Sequence, residues 1–427
     1  MRERTMTPPR SGQPDDEFAC RRNLGSAIFV VLLAVVVSAG LAGSVLAQTT
    51  PIDIAGDDPT SGLFDPSVEY APASTEGWLA YSAVFGPLLP WGPHVETHLA
   101  RSLDGGSSWT FETIAAPSTL DQLVNFDETL IDGAWNAETP SLVYDAADVG
   151  AEWKLFFHRI FRQSNDNFTV EQNLPAYSWI GMRTAASPAG PWSAERALLS
   201  SGPFPIAPYD VVEKAINALD PSLENMLVYS EPGAIVANET LYLSLTGLTS
   251  TGPDRIILLS SSDHGDSWEF VSTLLSPSEI ASMGFDSLDG SAIVEDAGRF
   301  FLLATPEIAG VLHDGTIAIE FESLATGLLE QNGGVPEIHL QIPAQPGLPT
   351  DLRGGQADYH EDNTAGGLMQ PALQTALYPK FFTIANTGLR LVTPAQAPGL
   401  GGTKAGVIIV MILLGLAGIR NLRRNDA

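Results

Sequence analysis

The chain carries SLDGGSSW at residues 102–109 and SSDHGDSW at residues 261–268, and both stretches follow the pattern Ser-x-Asp-x-Gly-x-x-Trp. Each lies between two runs of apolar and β-branched residues, which predict strands. The aspartate can accept backbone N–H groups, the glycine can adopt a positive φ, and the tryptophan can pack beneath the turn. We therefore predict two structural hairpin turns, formed by Ser102, Asp104, Gly106 and Trp109 and by Ser261, Asp263, Gly265 and Trp268.

Short strand-like runs recur along most of the chain between clusters of Gly, Pro, Asp and Ser, and long stretches of helical periodicity are scarce. Many short strands predict an all-β sandwich, barrel or propeller. A weaker repeat, in which an acidic or polar residue begins a pair of strands, favours the propeller. The repeat begins at residues 65, 138, 231, 289 and 370, so we predict a five-bladed β-propeller over residues 48–396.

Residues 1–47 have the features of a secretory signal peptide. Arg21 and Arg22 precede an uncharged apolar run at residues 27–43, and the small residues near Ala47 allow cleavage there. The arginine pair also leaves a twin-arginine export signal open. The segment predicts export across a membrane.

Residues 397–427 combine an uncharged apolar run at residues 405–419 with Arg420, Arg423 and Arg424. Basic residues after such a run favour a membrane segment whose tail stays in the cytoplasm. The arrangement resembles bacterial C-terminal sorting signals, so a permanent anchor and a processed signal both stay open. We predict a periplasmic or cell-surface protein anchored by a single C-terminal membrane segment.

The chain is strongly acidic, with 50 Asp and Glu against 21 Lys and Arg and a net charge of −29. Such a surface repels nucleic acid, so we expect no nucleic-acid partner. The only cysteine, Cys20, precedes the predicted cleavage site, which excludes disulfides and thiolate metal sites from the exported part. His94 and His98 have the spacing of zinc ligands on a helix, but on the predicted strand they would lie about 13 Å apart.

The repeated turns resemble the Asp-boxes of sialidase-like propellers. SPAGPW at residues 187–192 is similar to a turn in five-bladed glycoside hydrolases such as arabinanases and β-xylosidases. In those enzymes an Asp of the first blade is the general base, a second acid tunes its pKa, and a Glu of a later blade protonates the leaving group. The resemblance implies Asp65 as base, Glu231 as acid, and Glu138 or Asp289 as the modulating acid.

Further residues are candidates for substrate contacts at the same face of the propeller. Trp91 and Trp135 would stack on a sugar ring, with simple packing as the alternative. His360 would reach the substrate or a channel cation, for which Ca²⁺ is the candidate, with a solvated loop position as the alternative. Arg183 and Gln370 complete the predicted substrate-binding set.

Three functions stay open from the sequence. The first is an inverting glycoside hydrolase that acts on extracellular carbohydrate. The second is a non-catalytic surface propeller that binds glycan or protein, because propellers host many functions. The third is a sialidase, which needs three converging arginines and a Tyr–Glu nucleophile pair.

Overall fold

The strands form sheets arranged like propeller blades, as seen in a computed structural model of the chain. The predicted signal peptide and the C-terminal segment 397–427 lie outside the residues that the structure describes. Among the described residues, no helix is long and apolar enough to cross a membrane. The described residues are 48–57, 62–88, 92–124, 130–163, 177–201, 211–224, 226–249, 252–308, 312–343, 352–353, 356–363, 368–374 and 388–393.

Four sheets within the described residues are blades, built mainly from consecutive antiparallel strands, so the predicted all-β, propeller-like fold is confirmed. Blade 1 contains Ile54–Ala55, Gly62–Tyr70, Gly77–Leu88, Gly92–Ser102 and Trp109–Ala116, and blade 2 contains Thr119–Val124, Leu130–Tyr144, Trp153–Gln163, Ser178–Ala185, Arg196–Ser200 and Lys214–Ala215. Blade 3 contains Val228–Ala237, Thr240–Thr249, Gly252–Ser261 and Glu269–Leu275, and blade 4 contains Ser287–Asp296, Arg299–Ile308, Leu312–His313, Gly315–Ser323, Leu328–Leu329 and Ile338–Pro343.

A further sheet, here called the terminal sheet, joins a strand from early in the chain to three late ones. Its first strand pairs antiparallel with its last, and Gln48 lies opposite Thr393. The terminal sheet contains Gln48–Ile52, Leu352–Arg353, Leu368–Gln374 and Gly388–Thr393. The remaining elements are the small hairpin Gln331–Asn332 with Val335–Pro336, the α-helix Pro277–Ser282, and the 3₁₀ turns Ile216–Ala218, Pro221–Leu223 and Leu324–Thr326.

Apolar side chains fill the space between neighbouring sheets. Each fully buried Leu or Phe contributes about 1.5–3 kcal/mol of transfer free energy, so these layers hold the sheets together. The layers include Trp78, Leu99, Trp153 and Phe157 between blades 1 and 2, Phe156, Ile180, Leu243 and Trp268 between blades 2 and 3, Leu258, Ile293 and Leu302 between blades 3 and 4, and Val68, Tyr81 and Met369 between blade 1 and the terminal sheet.

The innermost strands share a bulge at one level. The strand register shifts after Phe64, Glu138, Ser230 and Asp289. The residue that follows each shift has a left-handed backbone, and so does one residue beside the terminal sheet. These residues are Asp65 (φ 50°), Thr139 (φ 52°), Glu231 (φ 54°), Gly290 (φ 53°) and Gln356 (φ 45°).

Two residues after three of these five left-handed positions, a side chain links one inner strand to the next. Ser67 Oγ accepts the N–H of Leu142 at 3.0 Å, and Ser141 Oγ accepts the N–H of Ala234 at 2.8 Å. A carboxylate has the same role beside the terminal sheet, where Asp358 Oδ2 accepts the N–H of Val68 at 2.7 Å. The links hold the bulges of neighbouring sheets at the same height.

The two repeated motifs form nearly identical turns between strands. In the second, Ser261 Oγ accepts the N–H of Gly265 at 2.8 Å, and Asp263 Oδ1 accepts the N–H of Ser267 at 2.8 Å. In the first, Ser102 and Asp104 make the equivalent contacts at 2.8 and 2.9 Å. Hydrogen bonds from Ser267 lower the pKa of Asp263 to about 2. Both aspartates therefore stay ionised as acceptors of their turns.

Replacing Ser261 by alanine is expected to destabilise the protein by about 1–3 kcal/mol. The side chain is buried, and its loss leaves the N–H of Gly265 without its acceptor. Urea unfolding measures the change, with Ser262→Ala at the exposed neighbouring position as the control. Equal stability of the two variants would contradict a supporting role for the Ser261 hydroxyl.

Candidate active site

Four acidic side chains meet at the level of the bulges. Burial is the main cause that raises the pKa of Asp65 and of Glu231, and the nearby carboxylates Glu138 and Asp289 raise both further. Such mutual effects arise only between charges that lie close together. The sheet topology thus joins carboxyls that are more than 200 residues apart in sequence.

The predicted correspondence between blades needs a correction. Glu138 and Asp289 were expected at the position that Asp65 and Glu231 occupy, but Thr139 and Gly290 have the left-handed backbone there. The predicted start at residue 370 lies on Leu368–Gln374, which is not an edge strand of the terminal sheet but pairs with Leu352–Arg353 on one side and Gly388–Thr393 on the other. In blade 2, Pro140 follows the left-handed residue Thr139, just as a proline follows Asp65 in blade 1 and Glu231 in blade 3. The acid of blade 2, Glu138, therefore stands one residue before the left-handed position.

Asp65 is a buried carboxyl with two inequivalent oxygens. Its Oδ2 accepts a hydrogen bond from Ser82 Oγ at 2.8 Å, and the same hydroxyl accepts the N–H of Thr139 at 2.9 Å. Its Oδ1 is buried and has no hydrogen-bond partner among the described residues. The bonds from Ser82 and Thr139 oppose the upward effect of burial on the pKa of Asp65.

Glu231 lacks a comparable set of stabilising contacts. Gln356 Nε2 donates a hydrogen bond of 2.6 Å to its Oε2. The main influences on its pKa all act upward, beginning with burial and followed by Asp289 and Asp65. Its left-handed backbone, φ 54°, costs on the order of 1–3 kcal/mol, a strain often found at functional sites.

The pKa of Glu138 is lowered, in contrast to those of Asp65 and Glu231. Burial opposes its ionisation, but Arg162 and His158 outweigh that effect and hold the pKa of Glu138 below its ordinary value. Arg162 Nη2 lies 3.5 Å from Oε1, and His158 Nδ1 lies 3.6 Å from the same atom. The site thus combines one carboxyl whose pKa is lowered, Glu138, with three whose pKa values are raised, Asp65, Glu231 and Asp289.

Asp289 lies in a second acidic group with Glu307 and His313, whose donor atoms all lie within 4.8 Å of one another. Burial and Asp289 raise the pKa of Glu307 to about 8, and burial lowers that of His313 to about 4. Ca²⁺ prefers six to eight oxygen ligands, so two carboxylates and an imidazole fit it poorly. No chemical step proposed below passes through an ion.

Two further histidine-bearing clusters have their own partners. His98 lies on a strand, as expected, and hydrogen-bonds Asp57 at 2.7 Å and Glu96 at 3.3 Å. His264 and the two acids beside it, Asp145 and Asp148, meet the ammonium group of Lys154. The lysine supplies the positive charge that a metal ion would bring there.

A cavity of about 440 Å³ runs along the inner strands from Asp65 and Glu231 towards His360. His360 hydrogen-bonds Glu69 Oε1 at 3.0 Å. Glu69 stands four residues beyond Asp65 on one strand, which is about 13 Å along the cavity. His360 therefore lies towards the far end of the cavity and not beside the carboxyl cluster.

The other predicted substrate contacts lie elsewhere. Trp135 and Arg183 are on the face of blade 2 opposite Glu138, because neighbouring residues of a strand point to opposite faces. Trp91 lies outside the described residues. Gln370 lies on the strand Leu368–Gln374, and its side chain is outside the described part of the chain.

The structure adds four residues that sequence reasoning missed. Ser82 and Gln356 contact Asp65 and Glu231 directly. His158 and Arg162 stand four residues apart on one strand and therefore share a face, which the sequence could have shown. No sequence signal distinguishes Ser82 or Gln356.

No protein-family model matches the chain, and no curated protein matches it. Among solved structures, it is similar to the catalytic domain of an α-L-arabinofuranosidase of glycoside hydrolase family 62 from Coprinopsis cinerea, with 12% identity over 81% of this chain and 96% of the other and a TM-score of 0.47. It is also similar to a Bacillus subtilis arabinanase, with 12% identity, 80% and 96% coverage and a TM-score of 0.45, and to a Hadza microbial sialidase, with 13% identity, 81% and 66% coverage and a TM-score of 0.45. At such low identities and TM-scores, the function must be inferred from this chain's own carboxyl groups.

Proposed function

We propose that the protein hydrolyses glycosidic bonds of extracellular carbohydrate with inversion at the anomeric carbon. The observation that supports this proposal is the set of interacting carboxyls, in which Glu231 and Asp65 have raised pKa values and Glu138 a lowered one. Because the charge of Asp65 raises the pKa of Glu231, the two carboxyls release their protons in separate steps, and over a range of pH one is ionised while the other keeps its proton, as base and acid roles require. Inverting hydrolysis requires such a pair, with room between them for water.

The roles follow from the contacts. Glu231, whose pKa is raised by burial and by Asp289 and Asp65, donates its proton to the leaving oxygen as the glycosidic C–O bond breaks. Asp65, whose anion is stabilised by Ser82 and Thr139, takes a proton from the water that attacks the anomeric carbon. Glu138 remains charged beside Arg162 and sustains the high pKa of Glu231.

The decisive experiment is reducing-sugar release by the full chain from arabinans, xylans and fructans, with and without calcium. Activity that disappears in both Asp65→Asn and Glu231→Gln would support the hydrolase. Glycan binding without product release from any of these polysaccharides would overturn it.

Removal of the permanent negative charge of Glu138 is expected to shift the pH profile. Because this charge raises the pKa of Glu231, Glu138→Gln should move the alkaline limb of kcat/KM down by roughly one pH unit. A pH series with one soluble substrate measures the shift. Glu112→Gln removes a charge at an exposed position and is the control. An unchanged limb in Glu138→Gln would contradict the electrostatic role.

A non-catalytic glycan-binding propeller is the second candidate, and one observation favours it. The Ser82 hydroxyl joins Asp65 of blade 1 to the backbone of Thr139 in blade 2, as a purely structural carboxyl would require. A sialidase has less support, because Arg162 is the arginine that reaches the cluster among the residues described, whereas three are needed.

We further propose that the terminal sheet is the fifth blade. The left-handed Gln356 stands at its inner edge, and Asp358 links it to Val68 as serines link the other blades. Electron-microscopy averages viewed along the axis would count the blades. Four or six blades would exclude this assignment.

We also propose that residues 1–47 direct export and residues 397–427 anchor the protein at the cell surface. The support is the order of basic and apolar segments at the two ends. Protease treatment of intact cells tests the location, because a surface protein is digested and a cytoplasmic one is protected.

A further inference from the structure

The face of blade 2 opposite Glu138 holds a second cleft of about 560 Å³. Strand pairing places Arg159, Trp179 and Arg183 on this face, since Ala137 lies opposite Arg159 and Arg159 opposite Trp179, whereas Arg196 lies opposite Met182 and reaches the cleft from its edge. The cleft is therefore separate from the carboxyl cluster. The residues that matter below are Trp135, Arg159, Trp179, Arg183, Glu195 and Arg196.

Positive charge is concentrated in this cleft. Three of the nine arginines between residues 48 and 404 line it, in a chain whose net charge is −29. Two carboxylates, Glu195 and Glu213, accompany them. The arginines that line the cleft outnumber its lining carboxylates by one, and Asp266 contacts Arg196 from outside the lining.

Arg159 and Arg196 already have carboxylate partners. Arg159 Nε lies 3.2 Å from each oxygen of Glu195, and its Nη2 contacts the same carboxylate. Arg196 donates to Glu213 at 2.8 and 2.6 Å and to Asp266 at 3.1 Å.

Arg183 has only a distant contact with a carboxylate, which it shares with Arg159. Its Nη2 stands 4.0 Å from Glu195, a carboxylate that also accepts the indole N–H of Trp179 at 2.9 Å. Its Nε is buried and has no hydrogen-bond acceptor among the described residues. A buried guanidinium donor without an acceptor is costly, so the position favours an incoming anion.

Two tryptophans supply an apolar wall. The rings of Trp135 and Trp179 lie 4.4 Å apart, and their N–H groups are committed to Asp121 and Glu195. The remaining ring surface suits the apolar face of a sugar. Trp135 is 6% exposed and Trp179 8% exposed, so a sugar can contact only a small part of each ring.

We propose that this cleft binds a carboxylate-bearing sugar unit, such as a uronic acid, of an extracellular polysaccharide. The planar carboxylate would accept from Nε and Nη2 of Arg183 in bidentate geometry. Arg159 and Arg183 share the carboxylate of Glu195, so this group carries one excess positive charge, which favours a carboxylate over a doubly charged phosphate. The cleft would hold an acidic chain on the protein independently of hydrolysis at the carboxyl cluster.

Calorimetric titration of the full chain with trigalacturonate tests the proposal, beside its fully methyl-esterified form and free acetate. Binding of trigalacturonate at least tenfold tighter than that of the ester or acetate is expected. Arg183→Gln should weaken this binding at least tenfold. Arg183→Lys should have an intermediate effect, because lysine keeps the positive charge but lacks the two parallel N–H donors of the guanidinium. Arg299→Gln, on blade 4, is the matched control and should bind as the unaltered chain does.

Several results would overturn the proposal. Equal binding of the acid and its ester would exclude recognition of the carboxylate. Equal binding of acetate and trigalacturonate would reduce the cleft to an anion pocket without a sugar site. Undiminished binding in Arg183→Gln and Arg183→Lys, each shown by circular dichroism to be folded, would exclude Arg183 as the anchor.

Discussion

Glu231→Gln is expected to lower kcat by about 10²–10⁴-fold on a glycoside with a sugar leaving group. Glutamine keeps the shape of the side chain and its contact with Gln356, but it cannot supply the acidic proton. A substrate whose leaving group needs no protonation, such as a dinitrophenyl glycoside, should lose much less. Initial rates on the two substrates measure the difference.

The variant Asp65→Asn distinguishes the role of the general base from that of the general acid. A general base is needed whatever the leaving group, so this variant should lose a similar factor on both substrates. Glu112→Gln is the control for a change of charge at an exposed site. Equal losses on the two substrates for Glu231→Gln would contradict its role as the proton donor.

The folded protein is expected to be more stable at pH 5 than at pH 8, by roughly 5–10 °C in Tm. Burial raises the pKa of five largely buried carboxyls among the described residues, to about 6 for Asp358 and to about 8 for Glu307. The folded chain therefore binds protons more tightly at these groups than the unfolded chain does, so the free energy of unfolding falls as the pH rises. The carboxyls are Asp65, Glu231, Asp289, Glu307 and Asp358.

The gain in stability with falling pH stops at a lower limit. A folded pKa of about 6 against an ordinary value of 3.8 corresponds to on the order of 3 kcal/mol for Asp358, lost as the pH rises from about 4 to above 6. Carboxylates with lowered pKa values, such as Glu138 and Asp263, act in the opposite sense below about pH 4. Their protonation at lower pH should place the maximum of stability near pH 5.

Asp358→Asn is the matched variant for this pH dependence. The amide oxygen can still accept the N–H of Val68, but the group no longer titrates. We expect the variant to gain stability at pH 8 and to show a flatter curve of Tm against pH. A wild-type Tm that is higher at pH 8 than at pH 5 would contradict the account.

The sequence predicted the sheets well because the signals for them are local. The Ser-x-Asp-x-Gly-x-x-Trp motif encodes its turn within eight residues, and the flanking apolar runs encode the strands on either side. The number of blades is harder to predict from the sequence, because no sequence feature shows that the strand Gln48–Ile52 pairs with Gly388–Thr393.

The site was only partly predictable, for a physical reason. Asp65 and Glu231 precede prolines at the bulges, so the acid and the bulge coincide there. In blade 2 the proline follows Thr139, and alignment by proline instead of by acid would have given the correct register. Gln356 contacts Glu231 across 125 residues, and no local pattern encodes such a contact.

The pairing of Gln48 with Thr393 has a consequence for the order of folding. Blades 1 to 4 consist mainly of neighbouring strands and can form as each is synthesised, whereas the terminal sheet must wait for its last strand. Closing so long a loop is entropically costly and slow. Until then, the strand Gln48–Ile52 presents unpaired backbone groups to its surroundings. Recruitment of a holding chaperone during biogenesis should therefore depend on these few residues more than on any blade.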